Sequence, residues 1–403
     1  MIMKEYFPRE QYLKKVSHFI DKPIIKVIIG QRRVGKSMFL FQLMDYIKQK
    51  QKQANIIYIN TEEEDFQHIT TYKELQKEIN SKLKKGKKNY VFIDEIQDIQ
   101  QFERALRNYQ AKQTCDLYCT GSNSKMMAGE LATFLSGRYI ELQIHPLSFT
   151  EFCTFHNLPV TQDALLKYFR FGGMPFLRHL PLDDEPVYEY LRSIYNTILL
   201  HDVAARYSVR NLHLLNVLFR FLSDNVGGIF SATSISKHFK KSTLQYPPKS
   251  ILEYLAYMQN AMIINDVSRY DLPGKRILTS GTKIYYEDIG IRNAVVGGFK
   301  PMDIHKILEN VVYSHLIRQD YKVYVGQYRQ KEIDFIAEKN SKKIYVQVAY
   351  KITEQATMDR EFGNLLAIKD NFPKMVVSMD DFTGHAHEGI EHVHVFDFLQ
   401  QTL

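Results

Sequence analysis

Apolar and polar positions run in two rhythms along this chain. Up to about residue 150, short β-branched runs alternate with stretches of helical spacing. Ile24-Ile25-Lys26-Val27-Ile28-Ile29 predicts a buried parallel strand. Met38, Leu40, Phe41, Leu43, Met44 and Ile47 then recur at helical spacing. Further strands are expected at residues 56–60, 90–95, 116–120 and 139–144, with a helix from Tyr72 to Leu83. Strands alternating with helices predict an α/β fold built on a parallel sheet.

Beyond residue 149 the pattern turns helical. Phe149, Phe152 and Phe155 form an apolar stripe, and a long helix resumes from Pro186 to Leu200. Phe171-Gly172-Gly173-Met174-Pro175 interrupts them, as a hinge or as a tight turn between helices. From Asn211 to about Asp288 three helical stretches are followed by a strand pair around Leu272-Pro273-Gly274. Three helices and a hairpin predict a winged helix, either a DNA-binding module or a packing module. Glu253, Tyr254, Tyr257 and Gln259 on the third helix are not a DNA-reading set, whereas Arg269, Lys275 and Arg276 on the wing suit phosphates. After Gly297-Gly298 the order is a helix containing Glu309, three strands, a helix from about Met358 to Ile368, and a last strand at 375–378.

Composition narrows the picture only a little. The 403 residues are 45% hydrophobic and 24% charged, as in ordinary globular proteins, and suffice for two or three domains. No apolar run is long enough to span a bilayer and the start lacks a signal-peptide core, so a cytoplasmic protein without membrane attachment is expected. Cys115, Cys119 and Cys153 match no zinc spacing and are expected as reduced core thiols. A net charge of +8 permits an acidic partner without requiring one. The basic run from Lys82 to Lys88 is a solvated loop or a nucleic-acid contact.

The chemistry centres on Gly30-Gln31-Arg32-Arg33-Val34-Gly35-Lys36-Ser37, which fits the phosphate-binding loop pattern. Between a strand and a helix start, its backbone N–H groups would surround a triphosphate and the helix N-terminus would face its charge. Residues Gly30 to Met38 are therefore the expected ATP-binding segment. Lys36 would reach the β- and γ-phosphates and Ser37 would ligate Mg²⁺. No Asn-Lys-x-Asp guanine signature occurs, which favours ATP over GTP.

The strand at 90–95 ends in two carboxylates, at the sheet edge where open α/β folds bind ligands. Asp94 is expected to hold Mg²⁺ and Glu95 to act as general base on the attacking water. After the fourth strand, Asn123 or Ser122 would orient that water, provided this strand lies between the other two; the alternative is a helix cap for a segment from Lys125.

Gly30 to Ser37, Val91 to Glu95, Thr120-Gly121-Ser122-Asn123, Ser136-Gly137-Arg138 and Pro146-Leu147-Ser148-Phe149 together resemble a family of prokaryotic AAA-type ATPases. Members carry a C-terminal domain of unknown function similar to a degenerate restriction-endonuclease fold. The resemblance implies ATP hydrolysis and a sheet with an inserted central strand. It also implies that Arg138, just before the fifth strand, completes a neighbouring subunit's site in a homo-oligomer. The helical stretch after the core would be the lid, with Arg170 and Arg178 as candidate nucleotide sensors.

The expected division is an AAA-type core at 1–150, a helical lid at 151–210, a winged helix at 211–296 and an α/β restriction-endonuclease-like domain at 297–403. In that last domain Glu309, Asp334 and Gln347 match the first three positions of the endonuclease pattern and form a second candidate metal site. The lysine position holds Ala349, so cleavage should be impaired; Lys351 is the candidate substitute. Three functions follow: an ATP-driven switch or motor acting on DNA or a protein partner, an ATP-regulated nuclease, and a nucleotide-controlled scaffold. Intact Lys36, Asp94 and Glu95 weigh against the scaffold, and Ala349 against the nuclease.

Overall fold

The structure is a computed structural model, and it describes residues 6–123, 135, 137–241, 245–352, 355–380 and 386–403. The chain divides into two units, residues 1–145 with 260–262, and residues 146–259 with 263–403.

The first unit holds one five-stranded sheet of β1 (Ile25–Ile29), β2 (Asn55–Asn60), β3 (Asn89–Asp94), β4 (Asp116–Gly121) and β5 (Tyr139–Gln143). Their order is β2-β3-β4-β1-β5, and every pairing is parallel. Helices at Lys36–Lys50, Tyr72–Lys82 and Phe102–Lys112 connect them. All five residues of β1 are buried, as a parallel strand covered on both faces requires. Ile25, Val27 and Ile29 enter a core with Ile57, Ile59, Val91, Ile93, Leu106 and Leu117, while Phe92 and Tyr118 stack at 4.5 Å. Because β4 runs between β1 and β3, its C-terminal end emerges between the Gly30 loop and Asp94. That is the inserted central strand, and it meets the condition set for Asn123. Ser124, Lys125 and Ser136 lie outside the described residues, so the helix-cap alternative at Lys125 has no structural account.

Two glycines in the loop after β1 have identifiable causes. A Cβ at Gly30 would stand 2.4 Å from the Ile144 carbonyl oxygen. Gly35 has φ +95° as the residue preceding the Lys36–Lys50 helix, a conformation costly for other residues.

The second unit holds an eight-stranded mixed sheet in the order β13-β12-β11-β10-β9-β7-β8-β6. These are β6 (Ile229–Phe230), β7 (Ile264–Asp271), β8 (Arg276–Tyr286), β9 (Lys322–Tyr328), β10 (Lys331–Lys339), β11 (Lys342–Val348), β12 (Lys374–Ser378) and β13 (Glu391–His394). Helices at Leu212–Asp224, Ala232–Lys241 and Pro248–Asn260 precede the β7–β8 hairpin in the expected order. The hairpin does not stand apart: β7 pairs parallel with β9 through Arg269–Val325, Tyr270–Gly326 and Asp271–Gln327. The two segments expected to be separate domains therefore share one sheet. The helix Ile304–Arg318 packs against β8, β9, β10 and β11.

The glycine pair at 172–173 ends the helix Gln162–Phe171 where backbones meet closely. A Cβ at Gly172 would be 2.5 Å from Asp288 Oδ1, and one at Gly173 would be 2.3 Å from the Leu147 carbonyl oxygen. Gly173 donates its N–H to Asp288 Oδ2 at 2.7 Å, and Asp288 also accepts from Ile291 N at the start of the helix Ile289–Val295. Burial raises the Asp288 carboxyl to about 6. On that helix the fully buried Arg292 pairs with Asp303 at 2.7 Å and donates to the Ser223 carbonyl.

Candidate active site

The loop from Gly30 to Gly35 carries its lysine inward. Lys36 opens a helix and is buried, with its ammonium donating to the Gly30 and Gln31 carbonyls at 3.1 and 3.3 Å. The same ammonium lies 3.6 Å from Glu95 Oε1. Loop and acidic strand end thus meet through Lys36 and Glu95, the two side chains assigned to opposite halves of the chemistry. Ser37 and Met38 are half-buried on the first turn, Val34 is buried in the loop, and Arg33 is exposed at φ +71°. Arg32 is half-buried 3.6 Å from Glu62.

Asp94 is almost fully buried at the end of β3. Its Oδ2 accepts from the Tyr58 hydroxyl at 2.9 Å, and its Oδ1 accepts from the Thr120 hydroxyl. A carboxylate offers about four acceptor sites, so this fixing leaves others for a cation. Burial and the Asp94 charge both hold the Tyr58 phenol above its ordinary value, so it stays a donor.

Glu95 has φ +52°, an uncommon backbone for a residue of this kind. The conformation is pinned from both sides: its N–H donates to Thr120 Oγ1 at 2.9 Å, and Thr61 donates to its carbonyl at 3.1 Å. Its second carboxylate oxygen accepts from the Gln97 amide. Thr120 thereby braces both acids from the neighbouring strand. Tyr58, Thr61 and Gln97 carry no motif of their own; Thr120 stands in the Thr120-Gly121-Ser122-Asn123 stretch, but its bracing of both acids is not readable from that stretch.

Ser122 and Asn123 are both buried at the end of β4. The Ser122 hydroxyl and both amide atoms of Gln31 are buried without a hydrogen-bond partner, polar groups that a ligand would satisfy. Arg138 is exposed beside β5, the sheet edge, and its carbonyl accepts from Ile25 N.

Oxygen donors at Ser37 and Asp94 suit a hard divalent cation. Among the described residues, no group of three or more His, Cys, Asp or Glu is arranged to hold a metal ion by itself. A site of one hydroxyl and one carboxylate, completed by phosphate and water, is of a different kind and fits Mg²⁺.

In the second unit, Glu309, Asp334 and Gln347 are brought to one place. Asp334 N donates to Gln347 Oε1 at 3.3 Å, and Glu309 and Asp334 both face the ammonium of Lys283 on β8. Lys351 lies past the end of β11 and is exposed. Arg170 pairs with Asp184, both exposed. No helix among the described residues is long and apolar enough to cross a membrane.

Comparison with known proteins gives three matches to family models. Residues 22–153 match an AAA domain, residues 162–301 a domain of unknown function (DUF8612), and residues 305–396 another (DUF4143). A Haemophilus influenzae protein described as uncharacterized is 36% identical over 99% of this chain and 100% of its own length. An uncharacterized Methanocaldococcus jannaschii protein, MJ1544, is 31% identical over 93% of this chain and 85% of its own length. Among solved structures, the Saccharomyces cerevisiae Hsp104–ADP complex aligns with 64% of this chain and 39% of its own, at 14% identity and a TM-score of 0.33. The identity to the first two relatives, over nearly the whole chain, and the AAA domain over the Gly30 loop and Asp94-Glu95 lead to one conclusion: the chain belongs to the family of AAA-domain proteins that includes the Haemophilus protein.

Proposed function

We propose that this protein binds ATP with Mg²⁺ at the Gly30–Met38 segment and hydrolyses it. The observation that carries the reading is the meeting of Lys36 and Glu95 at 3.6 Å, beside an Asp94 fixed by two hydroxyl donors. Lys36 would exchange its contacts with Gly30 and Gln31 for phosphate oxygens, releasing Glu95 to accept a proton from water. Mg²⁺, held through Ser37 and Asp94, supplies charge neutralisation on the phosphates when bound. Asn123 orients the attacking water, with Ser122 beside it in sequence and the unpartnered Gln31 amide as a further donor. Arg138, exposed at the edge of the sheet, acts on the site of an adjoining copy.

Hydrolysis serves as a switch or motor for modules in the second unit, in a cytoplasmic protein. The helical segment 151–210 is the lid, 211–296 a winged-helix-like module, and 297–403 a restriction-endonuclease-like domain that binds without cutting. The basic hairpin residues Arg269, Lys275 and Arg276 make nucleic acid a candidate target beside a protein partner, with Arg269 engaged by Gln327 and Arg276 facing Asp271. The test is the steady-state ATPase rate with Mg²⁺ and with EDTA, each with and without single- and double-stranded DNA. Mg²⁺-dependent turnover stimulated by DNA is expected. Turnover indifferent to DNA would transfer the target to a protein, and no turnover would remove the ATPase reading.

A further inference from the structure

Lys283 occupies an uncommon position. Its side chain is 4% exposed, and its ammonium lies 2.8 Å from Glu309 Oε1, 2.7 Å from Glu332 Oε1 and 3.6 Å from Asp334 Oδ1. The three acids come from the helix Ile304–Arg318 and from β10, whereas the lysine comes from β8. Around them, Tyr285 donates its hydroxyl to Glu309 Oε1 at 2.5 Å and Val348 donates its N–H to Asp334 Oδ2 at 2.8 Å. Carboxylates alone would say little. What marks this place is a desolvated cation seated where they converge.

Three carboxyl groups surround one ammonium, an arrangement unlike the one-to-one pairing that burial normally demands. Burial disfavours the charge on Asp334 and Glu309 adds repulsion, so its carboxyl lies well above the usual range. For Lys283, burial alone would weaken the ammonium, but the charges of Glu309, Asp334 and Glu332 overcome it and raise its pKa. An all-oxygen set drawn from one helix and one strand, beside the Gln347 amide oxygen, is the donor chemistry of a hard divalent ion. Glu309 and Glu332 stand at hydrogen-bonding distance from the Lys283 nitrogen and Asp334 at 3.6 Å, all longer than the ~2.0–2.6 Å that Mg²⁺ or Ca²⁺ requires. A net-negative cluster also repels the phosphodiester that a nuclease must bind.

We propose that Lys283 is a tethered cation filling a divalent-metal site, so that this half of the protein holds no metal and cuts no nucleic acid as long as the ammonium is in place. The inference is independent of the ATPase reading.

The experiment uses the full chain, free of nucleotide and stripped with EDTA, as wild type, Asp334→Asn, Lys283→Met and Lys283→Met/Asp334→Asn. Mn²⁺ binding is counted by electron paramagnetic resonance, and thermal unfolding is followed with and without Ca²⁺. Wild type and Asp334→Asn should bind equal Mn²⁺. Lys283→Met should bind one Mn²⁺ more than the double variant, and Ca²⁺ at saturating excess should raise its unfolding temperature by about 4 °C or more. If Lys283→Met fails to fold in EDTA, recovery by Ca²⁺ that the double variant does not share supports the proposal, and no recovery counts against it. An additional Mn²⁺ in wild type that Asp334→Asn loses would overturn the proposal. So would metal-dependent cleavage of plasmid DNA by wild type that Asp334→Asn abolishes, which would make Lys283 part of a working nuclease.

Discussion

Replacing Thr120 by valine removes one hydroxyl and almost no volume, from a side chain that is fully buried. Two hydrogen bonds are lost together: the one given to Asp94 and the one accepted from Glu95 N–H at 2.9 Å. A bond to a charged acceptor contributes about 1.5–3 kcal/mol and a neutral one about 1 kcal/mol. The expected loss of stability is therefore about 3 kcal/mol, since Tyr58 still holds the other Asp94 oxygen. For a unit of this size that corresponds to a fall in Tm of roughly 6–12 °C. The larger effect should be functional. Groups that orient a metal-binding carboxylate typically account for about 10–100-fold in metal affinity. The half-saturating Mg²⁺ concentration for ATP turnover should rise by that factor in Thr120→Val. Thr120→Ser keeps the hydroxyl and should stay near wild type in both assays. A valine variant within about 0.5 kcal/mol of wild type in denaturant unfolding, with an unchanged Mg²⁺ requirement, would refute the bracing role.

Two further outcomes are expected. If Arg138 acts on an adjoining copy, Arg138→Ala and Lys36→Ala proteins should each be inactive yet partly restore turnover when mixed, because an arginine supplied in trans contributes about 10³–10⁵ in rate; failure to complement, with a monomer in sedimentation, would contradict it. His315, buried against Phe398, has its pKa lowered to about 4 by burial and then by Arg318, so its contribution is complete above pH 6.5 and is lost as pH falls toward 4. His315→Gln should remove about 2–3 kcal/mol of the stability lost between pH 7 and 4.5, measured by denaturant midpoints. Asp288, held up to about 6, works in the opposite direction but is common to both proteins.

Much of the candidate site's geometry is legible in the sequence because it is local. A β-branched run, two glycines and a helical repeat specify strand, loop and helix start without reference to anything distant, and the Asp94-Glu95 pair closes its own strand. What lay hidden depends on which strand lies beside which. Thr120 matters only because β4 runs next to β3, and Gln97 only because Glu95 turns its backbone to φ +52°. The shared sheet of the second unit was missed for the same reason. Alternation along β7 and β9 tells which face is buried, not that Arg269 pairs with Val325. Residues Glu309, Asp334 and Gln347 were recognisable as a pattern, whereas Lys283 sat unnoticed in a strand otherwise rich in Ile and Tyr. The helix Ile289–Val295 escaped because seven residues beginning Ile-Gly leave too short a repeat, although Arg292 and Asn293 on it tie three segments together.

The central claim is that Lys36 and Glu95 divide the work of one site, the lysine holding nucleotide and the glutamate activating water. Its most direct test is to measure ATP binding and single-turnover hydrolysis side by side in Lys36→Ala and Glu95→Gln. The account predicts that Lys36→Ala loses ATP binding, while Glu95→Gln binds ATP as wild type does and hydrolyses it about 10²–10⁴ times more slowly. Unchanged hydrolysis in Glu95→Gln would contradict it.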